Sequence, residues 1–123
     1  MAGELSRLVF TDKSGHPDSE MTVRRSARAG REYWLHAACT SAAAGRTPSV
    51  ELRSGRPGAS DDALAAVDIP CDGAATVNGL GTLPAEPVMV GLRGAVSGVS
   101  SAYAVVAPTP VLAEQRAEGV AIR

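Results

Sequence analysis

The chain has 123 residues and a formal charge of -1 at neutral pH, with 12 basic against 13 acidic side chains. That length suits one domain with a single core, and the near-neutral balance supplies no long-range attraction for nucleic acid. No apolar run is long enough for a membrane-spanning helix, and the start, MAGELSRLVF, lacks the basic-then-apolar order of a signal peptide, so the sequence reads without a leader or transmembrane segment.

Alternation of apolar and polar residues recurs along the chain, and helical spacing is nearly absent. LSRLVFT (5–11) reads as a first strand, and SGHPD (14–18) as a turn broken by Gly and Pro. EMTVRRS (20–26) alternates Met21, Val23 and Arg25 against Thr22 and Arg24. After a turn at ARAG comes REYWLHAACTS (31–41). PSVELRS (48–54) places Val50 and Leu52 on one face. GRPGASDD (55–62) is a loop by composition. ALAAVDIPC (63–71), AATVNGL (74–80), VMVGLRG (88–94) and VSSAYAVVAP (99–108) complete the set.

About eight short strands with turn signals between them predict an all-β fold, an antiparallel, jelly-roll-like β-sandwich. The domain is read as 1–123, with 109–123 as a tail, a short helix or a further strand. Aromatic residues make up only 3% of the chain, so Ala, Val and Leu must fill the core and the sheets must pack closely.

Residues two apart on a strand share a face. Tyr33, Leu35, Ala37 and Cys39 therefore line one side, and Trp34, His36, Ala38 and Thr40 the other. Cys71 falls in register with Ala65, Val67 and Ile69. Both cysteines thus point toward the core, either as a pair or as two buried thiols. No zinc-ligand spacing is present, and no metal or other cofactor is expected.

Trp34 and His36 form the candidate ligand face, with Arg24 and Arg53 as neighbours able to bond hydroxyls or carboxylates. A sugar ring could stack on the tryptophan. The opposing expectation, and the favoured one, is that a loop or the N-terminal segment covers Trp34. Asp12, His16, Asp18 and Glu20 share one stretch but lack the ligand order of a calcium loop, so a solvated turn is expected. With only His16 and His36, and no G-x-S-x-G, no catalytic residues are assigned and a small hydrolase is disfavoured.

Gly30, Tyr33, Leu35, Ala37 and Cys39, then Val67, Cys71, Asp72 and Gly73, then Ala102, Tyr103, Ala104 and Val105, carry a resemblance. Over about residues 20–108 the chain resembles a β-sandwich module of secreted proteins and lipoproteins of actinobacteria such as Streptomyces, of unassigned function. The resemblance implies an extracytoplasmic location and an intramolecular disulfide between Cys39 and Cys71. A likeness to carbohydrate-binding jelly rolls and prepeptidase C-terminal modules is one of architecture alone. The expected role is a non-catalytic module binding carbohydrate or cell-wall material. The alternative is a domain docking a partner chain, with Arg24, Arg25, Glu51 and Arg53 at the rim.

Overall fold

Period-two alternation becomes eight strands in the computed structural model, which describes residues 2–13, 15–42, 45, 47–60, 62–94 and 98–110. They are β1 (Ser6–Lys13), β2 (His16–Val23), β3 (Glu32–Ser41), β4 (Ser49–Ser54), β5 (Ala65–Asp68), β6 (Thr76–Thr82), β7 (Val88–Arg93) and β8 (Val99–Ala107). All pairings are antiparallel, and the strands form two sheets. The larger has the order β2-β1-β8-β3-β6 and the smaller β5-β4-β7. The all-β sandwich is therefore the fold.

The core lies between the sheets. Tyr33, Leu35, Ala37 and Cys39 of β3 face it, opposite Val50, Leu52, Val88 and Val90 of the smaller sheet. On the larger sheet Ala37 pairs with Ala104, and Cys39 with Ala102. These small side chains let the sheets approach closely, as the alanine-rich, aromatic-poor composition requires. Ser6, fully buried on β1, donates its hydroxyl to the Val88 carbonyl on β7. A polar group inside the core is thus satisfied by a bond that crosses it.

Several boundaries differ from the sequence reading, among them that β6 runs two residues later than 74–80. Residues 16–18 belong to β2 rather than to a turn, and Gly15, at φ +81°, reverses the chain. Pro17 is tolerated because β2 is an edge strand. Residues 24–26 leave β2, and the amides of Arg24 and Arg25 both bond to the Leu5 carbonyl. β5 ends at Asp68 because Ile69 N–H turns to the Pro48 carbonyl and Pro70 has no donor. The expectation for 109–123 falls, after Pro110, outside the described residues.

Candidate functional site

Cys39 and Cys71 are disulfide-bonded, with Cα atoms 4.3 Å apart. Cys39 is buried on β3, and Cys71 lies on the segment leaving β5. Beside the bond, Thr40 and Asp72 form an isolated antiparallel bridge, and Gly73 N–H donates to the Cys39 carbonyl at 2.9 Å. Asp72 Oδ1 accepts from Ala74 N–H at 2.9 Å, which makes it a turn acid. The smaller sheet is thereby fastened to the larger one where the chain crosses between them. The bond also removes both sulfurs as nucleophiles.

The four residues of the expected ligand face do not form one face. Trp34 does point away from the core, half-buried, with its indole Nε1 beside Gly79 on β6. His36 shares that side but is 1% exposed, and its Nε2 lies 2.6 Å from the Thr109 carbonyl oxygen. Arg24 follows β2, and its Nε donates to Glu4 at 2.9 Å. Arg53 is on β4 of the other sheet, where its guanidinium donates to Glu51 at 2.8 Å. Both arginines are thus paired with acids. Alternation assigns a side within a strand, not which strands share a sheet.

On the outer side of the larger sheet, the half that holds Val105 and Ala107 is buried along with His36. The other half is open. Val9, Ala38 and Tyr103 lie side by side across β1, β3 and β8, with Thr11, Thr40 and Ser101 in the next row. They line a trough of about 320 Å³ that reaches the disulfide end of β3. Thr40 Oγ1 and Ser101 Oγ are 2.7 Å apart. One hydroxyl donates to the other, and the second keeps a proton to offer. Sequence reasoning missed Tyr103 because both sides of β8 are apolar, so its alternation marks no outside.

The acids near the first hairpin do not converge. Asp12 pairs with Pro17 on one side of the sheet, while Asp18 and Glu20 pair with Thr11 and Val9 on the other. Asp12 Oδ1 accepts from Gly15 N–H at 3.1 Å and closes the turn. Among the described residues no group of three His, Cys, Asp or Glu side chains could hold a metal ion.

Glu4 is a charged site that alternation does not mark. It is 2% exposed, and its oxygens accept from Arg7 Nη2 at 2.8 Å, Arg7 Nε at 3.0 Å and Arg24 Nε at 2.9 Å. Hydrogen bonding to Arg7, opposed by burial and assisted by Arg24, holds its carboxyl down to about 2. Arg7 is correspondingly raised, chiefly by the same bond.

Among the described residues no helix is long and apolar enough to cross a membrane. No protein-family model, no curated protein and no solved structure matches the chain.

Proposed function

We propose that this domain is a non-catalytic, extracytoplasmic binding module that takes carbohydrate or cell-wall material in the outer trough of the larger sheet. One observation carries the reading: Tyr103 stands beside the small Ala38, with the Thr40 and Ser101 hydroxyls in the adjacent row. An aromatic side chain suits the C–H face of a sugar, and paired hydroxyls suit its OH groups. The strands beneath are central in the sheet, so the surface is held rigidly. The Cys39–Cys71 bond supports an oxidising compartment.

Calorimetric titration with oligosaccharides and soluble cell-wall fragments tests this directly. Saturable binding that Tyr103→Ala and Thr40→Val each weaken about tenfold is expected. Absence of binding by the unaltered protein, or undiminished binding by both variants, removes the trough as the site.

A second observation favours a docking role. Leu8, Phe10, Met21, Met89 and Leu92 line an apolar cleft of about 370 Å³ beside β2 and β7, and Met89 is 45% exposed. Methionine-lined clefts adapt to partner side chains. Light scattering separates the readings: a monomer at all concentrations, with no partner recovered from the native source, counts against docking.

A further inference from the structure

A second depression, of about 400 Å³, lies at the end of the sandwich opposite the disulfide. Arg25, Ser26, Arg28, Arg31, Tyr33 and Pro108 line it. Three guanidinium groups from seven consecutive residues face one space, and no acid among the described residues lines it. Nearby acids are otherwise placed: Asp18 and Glu20 pair with Thr11 and Val9 on the trough side of the larger sheet. Glu4 is occupied by Arg7 and Arg24, and Glu32 precedes Tyr33 on the alternate side of β3.

The loop carrying these arginines has no strand pairing, yet it is pinned at several points. Arg25 N–H bonds to the Leu5 carbonyl at 3.3 Å, and Ala27 N–H to the Glu86 carbonyl at 3.1 Å. Ala27 itself is buried. Arg28 N–H donates to the Tyr33 hydroxyl at 2.9 Å, and Arg31 N–H to the Arg28 carbonyl at 3.3 Å. Gly30, at φ +78°, supplies the reversal. Tyr33 is 2% exposed. Its oxygen accepts from Arg28, and its own proton meets no acceptor among the described residues. A buried donor therefore remains at the base of a basic depression.

We propose that this depression binds the multiply charged oxyanion group of a small ligand, a phosphate or a polycarboxylate. The arginines supply charge and forked donors, and Tyr33 supplies a neutral one. Bound anion relieves repulsion among the three cations, and the pinned backbone lowers the ordering cost of binding. This site is separate from the trough of the larger sheet, so either can fail without the other.

The test is titration of the intact protein with pyrophosphate and, separately, with citrate, by calorimetry at low ionic strength. Saturable binding of at least one is expected, and added sodium chloride should weaken it. Binding of pyrophosphate alone assigns a phosphate ligand, and binding of citrate alone a polycarboxylate. The variant Arg25→Gln/Arg28→Gln/Arg31→Gln alters exposed side chains only, so it should keep the melting temperature and lose at least about tenfold in affinity. Tyr33→Phe should lose about three- to tenfold. The control Arg56→Gln/Arg93→Gln removes charge elsewhere and should change affinity by less than about twofold. No binding of either anion, an unaffected triple variant, or an equal loss in the control overturns the proposal.

Discussion

His36 donates its Nε2 hydrogen to the carbonyl oxygen of Thr109, 2.6 Å away and 73 residues later in the chain. A carbonyl oxygen only accepts, so Nε2 must carry the hydrogen. The bond fastens the segment after β8 onto the outer side of the larger sheet. This histidine is therefore a structural clasp rather than a surface ligand. His36→Ala should destabilise the protein by about 1–3 kcal/mol, because it removes the bond and opens a buried space. Urea denaturation measures this. An unchanged midpoint would show that the segment is held by other contacts.

Glu4 predicts an acid limb of stability. Its folded value, about 2, lies below that of an unfolded glutamate. The stabilisation is complete above about pH 4.5 and is lost as pH falls through about 2. Screening around the half-exposed guanidiniums limits the contribution to about 1–2 kcal/mol. Glu4→Gln should show that deficit at pH 7 and converge on the unaltered protein near pH 2. Parallel stability curves across that range would refute the assignment.

Opening the disulfide should cost about 3–4 kcal/mol, given a sequence separation of 32 residues. The double variant Cys39→Ala/Cys71→Ala should melt about 10 °C or more below the oxidised protein. Intact mass before and after alkylation under denaturing, non-reducing conditions checks the bond itself. Uptake of alkylating agent would contradict it.

Two glycines with similar backbones should respond differently. Gly3 and Gly30 have φ of +71° and +78°. A Cβ on Gly3 would fall 2.7 Å from Pro108 Cγ, whereas one on Gly30 meets nothing within 4 Å. Gly30→Ala should cost about 1 kcal/mol, from backbone strain alone. Gly3→Ala should cost about 2–3 kcal/mol, because strain and a clash combine. Equal losses in thermal melts would mean that Pro108 yields without penalty.

Strands such as β3 and β4 were legible because each carries a clear apolar side. Val50 and Leu52, or Tyr33, Leu35 and Ala37, reveal their orientation through spacing alone. The cysteine pairing was foreshadowed because Cys39 and Cys71 each follow the apolar side of their own segment. Partnership between strands is a different matter. Arg53 and Trp34 both point outward, yet they belong to different sheets, and nothing local to either residue encodes that. His36 is polar and outward by alternation, yet it is buried and bonded to the distant Thr109, which its own strand does not encode. The basic depression escaped notice for the opposite reason. Arg25, Arg28 and Arg31 stand in an irregular loop, where no periodicity indicates a shared direction, and contacts to distant residues such as Leu5, Tyr33 and Glu86 fix it.

The Cys39–Cys71 bond closes a covalent ring that contains all of β4 and β5. A protease cutting the exposed Arg56–Gly58 stretch would leave both pieces joined and β4 still paired with β5. The nicked molecule would run at full mass until thiol was added. In a surrounding rich in proteases, such a chain loses a peptide bond without losing a part.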